Sequence, residues 1–362
     1  MQYVLATEKH NEFIENAFRK RGFDGEESAA IARICSMATW HGIRTHAGLK
    51  SLELDRHFGS EVDPPGCVPG AALVKKPSRF SAAQRWVANR KSGPIVTFDA
   101  FNTAIALADK HGVGVVSVDD CFHYMWGGGY VMDAARRGYI AYTNCTSTLA
   151  EVVPFGGRTP TLGTNPQSWG LPTVDAVGFP IVIDWATSKI AMGRVVTARR
   201  EDQTLPPDSA VDKDGQTTTD PHQVSALLPF GDHKGYGLSL INELTAALIG
   251  GGLPTSRGDA AKARAGEKTT CNFFIQVIHP EALDSGMFAE GRDQTTNLKA
   301  VIEDILGPGN EKSMLPGQIE HEAALRSEQA GGLIFSEAEV TEFEQAGRDM
   351  GLPFDRGALK QI

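Results

Sequence analysis

The chain contains no G-x-G-x-x-G, the turn that opens most dinucleotide crevices, and no G-x-x-x-x-G-K-[ST], the loop that wraps nucleotide phosphates. A standard Rossmann crevice and a P-loop are therefore disfavoured. H-E-x-x-H is missing and the ten histidines fall at no convincing metal spacing, so no metal site is expected. Without G-x-S-x-G there is no hydrolase elbow. Cysteine is scarce: the five are scattered, odd in number and without C-x-x-C. That argues against a disulfide framework or zinc ribbon and for a reducing, cytosolic setting. No apolar run reaches the roughly 18 residues a membrane span needs, and the opening "MQYVLATEKHNEFIENAFRKRGF" is too polar for a signal peptide. A formal net charge of −9 argues against a general nucleic-acid binder, while leaving room for one local basic pocket. There is no fixed-period repeat and no low-complexity tract.

What is present suits a large folded enzyme-sized chain. At 362 residues and 41% hydrophobic it can bury a sizeable core, and two domains are expected. The first seventy residues read as helical. Phe13, Ile14, Ala17 and Phe18 make one face, Gly22 ends that helix, and Asp24 with Glu27 starts the next as a capping box. "HFGSEVDPPGCVPG" breaks the pattern and marks a boundary. In the middle, helices such as "FNTAIALADKHG" and "YVMDAARRG" alternate with apolar strands such as "VGVVSV", "YIAYTNC", "FPIVIDWATS" and "CNFFIQVIHP". That alternation points to an α/β layer structure. The tail returns to helix around Phe343 and Met350. The division expected is a helical part at 1–70, an α/β part at 71–294, and a helical part at 295–362 that packs with the first.

The stretch "LLPFGDHKGYGLSLINELTAALIGGG" holds its glycines and charges at the two ends of an apolar run. Leu238, Ile241, Leu244 and Leu248 recur at helical spacing, which predicts a buried helix stopped by Gly250, Gly251, Gly252 and Pro254. Gly235 and Gly237 cost helix stability, about 1 kcal/mol each relative to alanine. A helix N-terminus with glycine-thin backbone and Lys234 beside it is a natural anion site, and a plain turn is the bland alternative. "GIRTHAGLK" gathers Thr45, His46 and Lys50 within little more than one turn, a proton donor beside a cation able to hold a carboxylate. Taken alone, His46 reads more simply as a surface histidine at a helix end. "CFHYMWGGGY" sets His123 before three glycines, either another backbone anion site or a tight turn with aromatic packing. "PTLGTNPQSWGLPT" and "VIDWATSK" place Thr164, Asn165, Asp184, Thr187 and Ser188 in loop-like positions, where Asp184 by itself is a turn or capping residue.

"THAG", "GTNP", "DWATS", "LLPFGDHKGYGLSL" and "MLPGQ", in this order and at these separations, resemble the type-2 malate/L-lactate dehydrogenase family, which includes sulfolactate and ureidoglycolate dehydrogenases and diketogulonate and piperideine-carboxylate reductases. The likeness runs over nearly the whole chain. It implies a non-Rossmann NAD(P)-binding α/β fold with a mixed sheet, NADH or NADPH as cofactor, and a homodimer, or an assembly of dimers, with the cofactor near the interface. By the same resemblance the family's Ser-His-Gly stands here as Thr45-His46-Ala47, with His46 as proton donor and acceptor and Thr45 as its hydroxyl partner. The family's arginine four residues on is Lys50, which keeps the charge and loses the bidentate fork. Its H-F-G is His123-Tyr124-Met125, followed by Trp126 and Gly127. This form, with "QRWVANRKSG" upstream, most resembles the diketogulonate-reductase branch. Lys50, His123, Thr164 and Arg194 are the substrate-binding candidates the resemblance gives. Cofactor contacts fall on His123 to Gly127, Asp184, Ala186, Thr187, Ser188, His233, Lys234, Gly235, Pro316, Gly317 and Gln318. The activity implied is interconversion of a small, sugar-derived 2-oxo acid with its 2-hydroxy acid. A cyclic imino acid reductase is the alternative within the family, and a catalytically lapsed dinucleotide or sugar-acid sensor the alternative outside enzymes. No nucleic-acid or membrane partner is expected.

Overall fold

The computed structural model describes all residues except Thr148, Glu201 and 251–269. Gly251, Gly252 and Pro254, expected as helix stops, thus lie outside the described residues. The chain opens not on a helix but on a strand, β1 (Gln2–Leu5), followed by α1 (Thr7–Lys20), α2 (Gly25–Trp40) and α3 (Gly48–Phe58). Asp24 and Glu27 close a reciprocal capping box at the start of α2, as their spacing predicts. Next come β2 (Val74–Pro77), β3 (Ala83–Val87), α4 (Gly93–His111), β4 (Val113–Cys121), α5 (Gly127–Arg136) and β5 (Ile140–Cys145). Then follow β6 (Gln167–Leu171), α6 (Val174–Val177), β7 (Ile181–Trp185), α7 (Met192–Arg200), β8 (Ala210–Val211), β9 (Ala226–Leu227) and α8 (His233–Ile249). β10 (Cys271–Ile278), α9 (Gln294–Ile305), α10 (Gln318–Ala330), β11 (Leu333–Ser336), α11 (Glu337–Met350) and β12 (Lys360–Gln361) complete it.

Seven strands form one mixed sheet in the order β2-β3-β4-β10-β5-β6-β7. Only β3 and β4 run parallel, joined by the crossover helix α4, and every other neighbouring pair is antiparallel. β10 enters between β4 and β5, strands that precede it by more than a hundred residues. Val116 and Val118 of β4 and Phe273 and Ile275 of β10 share one apolar cluster with Val96, Ala100 and Ala104 of α4 and Ile31 and Ile34 of α2. The chain ends meet separately, where β1 pairs with both β11 and β12. No described helix is long and apolar enough to cross a membrane.

The expected face of α8 is reversed. Its buried residues are Gly235, Ser239, Asn242, Glu243 and Ala246, while Ile241, Leu244 and Leu248 are 49, 61 and 88% exposed among the described residues. The physical reason is hydrogen bonding. Asn242 Nδ2 donates to the carbonyls of Cys145, Asn165 and Pro166, and Gln167 Nε2 donates to Leu238 O and Asn242 Oδ1. Asn165 Nδ2 in turn donates to Ser239 Oγ at 2.9 Å and Glu243 Oε1 at 2.7 Å. Breaking such a buried network leaves polar groups unsatisfied, each at about 1–3 kcal/mol, so the polar face goes inward and the leucine ridge is left outside.

Candidate active site

The turn between α2 and α3 carries Thr45 and His46. It is pinned from below: a Cβ on Gly48 would meet Ile14 Cδ1 at 2.8 Å and His10 Nε2 at 2.9 Å, so only glycine lets α3 settle this close to α1. Thr45 Oγ1 and His46 Nδ1 are hydrogen-bonded at 2.9 Å. The His46 ring lies parallel to that of His123, centroids 5.8 Å apart and planes within 15°. His123 Nδ1 accepts the Met125 backbone N–H at 2.9 Å, which assigns its proton to Nε2. Each ring keeps an accessible edge, yet protein crowds the rest. Burial, and after it the Lys50 ammonium, pushes His46 down to about 4. Burial, then His46 and Lys50, pushes His123 to about 3. Both imidazoles are therefore neutral at neutral pH. Lys50, one turn into α3, holds Glu53 at 3.1 Å. The N-terminal turn of α7 abuts this group, since a Cβ on Gly193 would lie 3.4 Å from Thr45 Cγ2, and Arg194 next to it is exposed.

A second set of segments converges through backbone bonds. Thr164 O accepts both the N–H and the Oγ–H of Thr187, at 2.8 and 3.0 Å. Thr187 O accepts Phe230 N–H, and Phe230 O accepts Gly235 N–H. Ala186 is partly buried, while Ser188 is buried and bridges to Pro229. The GTNP, DWATS and HKGYG segments are thus one tied unit. Pro316-Gly317-Gln318 seats on its edge: Pro316 O accepts Val182 N–H at 3.4 Å, and a Cβ on Gly317 would lie 2.9 Å from Val182 N. Gln318 Nε2 donates to Glu322. The two sets are joined by Asp184, whose oxygens accept Trp126 Nε1–H at 3.0 Å and Ser168 Oγ–H at 2.6 Å.

Two readings of the glycine segments need correction. Gly127, Gly128 and Gly129 lie inside α5 and are buried. Cβ atoms there would meet Ser168 Oγ at 2.4 Å, the Trp126 indole at 2.5 Å and Ile34 Cδ1 at 2.8 Å. The three glycines thus let α5 pack this closely, and the Gly128 backbone N–H is already taken by the Asp184 carboxylate. Tyr124, Met125 and Trp126 are 1, 5 and 2% exposed; in this segment the partly exposed His123 is what a ligand can reach. Gly235 is likewise buried, and its N–H is already bonded to Phe230 O. A Cβ there would sit 2.4 Å from Phe230 O and 2.7 Å from Thr187 O. Gly235 lets α8 close onto the Thr187 turn rather than making room for a phosphate.

His233 and Lys234 stand in the exposed first turn of α8. Lys234 makes no ion pair among the described residues, and a Cβ on Gly237 would meet nothing within 4 Å. The N–H groups of Lys234, Gly235 and Tyr236 are already bonded to the carbonyls of Gly231, Phe230 and Asp232, so it is the Lys234 ammonium, unpaired among the described residues, that has the charge a dinucleotide phosphate needs. Residues the sequence reading missed are Ser239, Asn242 and Glu243, which fix α8 under this unit. Their spacing of three and four is itself the signal, since they repeat at the same period as the leucines.

The malate/L-lactate dehydrogenase family profile matches residues 5–344. A Δ1-pyrroline-2-carboxylate/Δ1-piperideine-2-carboxylate reductase of Pseudomonas syringae pv. tomato is 30% identical over 92% of this chain and 93% of its own length. The crystal structure of the Δ1-piperideine-2-carboxylate reductase from that organism superposes with a TM-score of 0.80 at 29% identity, over 95% of this chain and 99% of that one. A malate/(S)-sulfolactate dehydrogenase of Methanothermus fervidus is 30% identical over 62% of this chain, an alignment spanning 66% of that relative, just under two thirds. A 2,3-diketo-L-gulonate reductase of Escherichia coli is 27% identical over 73% of this chain and 77% of its own length. With its motif segments gathered as described and the match running nearly end to end, the chain belongs to the malate/L-lactate dehydrogenase family.

Proposed function

We propose that this chain is an NAD(P)H-dependent reductase of a small acid bearing a carbonyl or imino group at C2. The observation that carries the reading is the pair of stacked neutral imidazoles, His46 and His123, beside the Lys50 ammonium. When bound, the nicotinamide supplies or takes up hydride. Lys234, with His233 beside it in the exposed first turn of α8, would hold the dinucleotide's phosphates, and the tied Thr164–Thr187 turn would line its path. Lys50 takes the substrate carboxylate as a point charge. His123 presents Nε2–H as a hydrogen-bond donor. His46, being neutral, is ready as a base when a hydroxy acid is oxidised. In the reductive direction a carboxylate arriving at Lys50 offsets one of the two causes that keep His46 unprotonated, so proton uptake at His46 follows substrate binding.

The relatives' names span a hydroxy acid pair, a sugar acid and a cyclic imino acid. The sugar-derived 2-oxo acid remains the first reading, and a cyclic imino acid the second, favoured by the relative aligned over 92% of the chain. The exposed ridge of Ile241, Leu244 and Leu248 supports a homodimer in which a second copy covers α8. The test is nicotinamide absorbance with NADH and NADPH against simple 2-oxo acids, diketo-sugar acids and cyclic imines. Turnover with at least one pair is expected. Cofactor binding without turnover across the panel would leave a dinucleotide-binding sensor instead.

A further inference from the structure

Trp126 stands at the start of α5 and is 2% exposed, yet its indole touches three separate parts of the molecule. Its Nε1–H donates to Asp184 Oδ2 on β7 at 3.0 Å, which satisfies the one polar atom that burying a tryptophan would otherwise leave unpaired. The ring rests on the first turn of α5, where Cβ atoms on Gly128 and Gly129 would meet it at 2.5 and 2.9 Å. The His41 ring stands beside it as well, centroids 5.6 Å apart and planes tilted by 42°. His41 is itself fixed. Its Nδ1–H donates to Met37 O at 2.8 Å, which leaves Nε2 to accept Arg136 Nη2–H at 3.2 Å. Both bonds together need the neutral ring, and burial pushes His41 down to about 4.

Each contact leads to a different part of the candidate site. His41 closes α2 at the entry to the turn that carries Thr45 and His46. Asp184 opens the DWATS segment that runs on to Thr187 and Ser188. Trp126 itself follows His123 through a tight link. Met125 has φ +68°, a left-handed conformation that a bulky residue adopts only where its surroundings impose it. Its N–H goes to His123 Nδ1, and Tyr124 O accepts the Tyr130 hydroxyl at 2.7 Å. A shift of the indole is therefore passed to His123 with little slack.

We infer that Trp126 is a positioning residue for the reductase: held between Asp184 and His41, it sets the placement of the His123 ring against His46, and so the alignment of the proton with the substrate. This role rests on the reductase reading and adds to it a residue that is buried away from the substrate and acts through the 123–126 backbone.

The test measures kcat, KM and the solvent deuterium isotope effect on kcat for wild type, Trp126→Phe, Asp184→Ala and the double variant, with the substrate and cofactor that wild type turns over. Thr173→Val is the control. Thr173 Oγ1 bonds Phe179 O and Ile181 N–H at the other end of β7, so its loss should lower Tm and leave kcat and the isotope effect alone. NAD(P)H fluorescence and thermal unfolding check that each variant is folded and loads cofactor. Trp126→Phe keeps a ring against His41 and loses the N–H. Because a misplacement of about 1 Å costs on the order of 100-fold, kcat is expected to fall about 10- to 100-fold with KM and cofactor Kd nearly unchanged. The isotope effect should rise, since a misaligned proton transfer slows relative to the other steps. Asp184→Ala approaches the same bond with the indole intact and should reproduce the fall, and the double variant should add little to it. Wild-type kcat in Trp126→Phe, a fall with the isotope effect unchanged, or fully additive losses in the double variant would overturn the assignment and leave the reductase reading standing. No turnover by wild type with any substrate and either cofactor would remove both.

Discussion

Replacing Gly235 with alanine adds one methyl group at the point where α8 closes on the Thr187 turn. The new Cβ would lie 2.4 Å from Phe230 O, 2.7 Å from Thr187 O and 2.8 Å from Phe230 N, all inside the 3.0 Å that real Cβ contacts respect. All three are backbone atoms, so no side chain can rotate away; the helix start or the turn must shift. Overpacking of this kind costs typically about 1–3 kcal/mol, only partly offset by alanine's better helix propensity of up to about 1 kcal/mol. For a chain of 362 residues a net loss of about 1–2 kcal/mol corresponds to a fall in Tm of roughly 1–3 °C. Gly237→Ala, two residues on, is the control, because nothing lies within 4 Å of its Cβ and the propensity gain should leave Tm level or slightly raised. Thermal unfolding by circular dichroism reads stability, and NAD(P)H fluorescence at low temperature reads cofactor affinity. If Gly235→Ala melted with wild type yet bound cofactor tenfold more weakly, the close-packing argument would be wrong and Gly235 would be making room for a ligand.

His46→Ala should lower kcat by about 10²–10⁴-fold with cofactor Kd unchanged, and Thr45→Val should do less; steady-state kinetics beside fluorescence titration checks both. Because His46 is held near 4, the pH profile of kcat/KM in the oxidative direction should lack an imidazole inflection near 6.5. His10 is fully buried between Phe335 and Phe343 and pushed by burial from 6.5 to about 4. Its folded pKa lies below the unfolded one, so only the unfolded chain takes up this proton between those values, and stability is lost as pH falls from about 6.5 toward 4. The loss is on the order of 3 kcal/mol, and His10→Phe should flatten that part of a denaturation-versus-pH series. Leu244→Asp should shift a homodimer toward monomer in sedimentation velocity without lowering the monomer's helix content; unchanged mass would remove α8 as the interface.

How much of this was legible in the sequence depended on whether a signal was local. The capping box at Asp24 and Glu27 needs only residues three apart, and it stands as expected. The helix over 233–249 was legible as a helix, because periodicity reports repeat length. It does not report which face goes inward. Leu238, Ile241 and Leu244 share the helical period with Ser239, Asn242 and Ala246, and the choice was made by carbonyls at Cys145, Asn165 and Pro166 nearly eighty or more residues away. Likewise Gly235 and Gly127 to Gly129 signalled close approach correctly, but whether ligand or protein comes close is a tertiary fact. β2 and β3 are short and lack clean alternation, so they give no strand signal, and β6 falls within the loop-like "PTLGTNPQSWGLPT". The meeting of His46 with His123 was foreseen only through resemblance, since no spacing links a turn after α2 to one after β4.

The position of β10 has a consequence for the order in which the molecule can be built. A ribosome releases β4 and β5 well before the strand that must lie between them, so for the time needed to synthesise residues 146 to 278 both carry an open hydrogen-bonding edge. Adjacent nascent chains on one messenger present the same two edges to each other, a standing invitation to mispair. Closing the gap demands a long loop and a high contact order, which slows the final step. The turn bearing His123 follows β4, and the tied unit around Thr164 hangs from β5 and β6. Until Ile278 has emerged and slotted in, those two halves are not held by a common sheet, so a competent active site waits on β10.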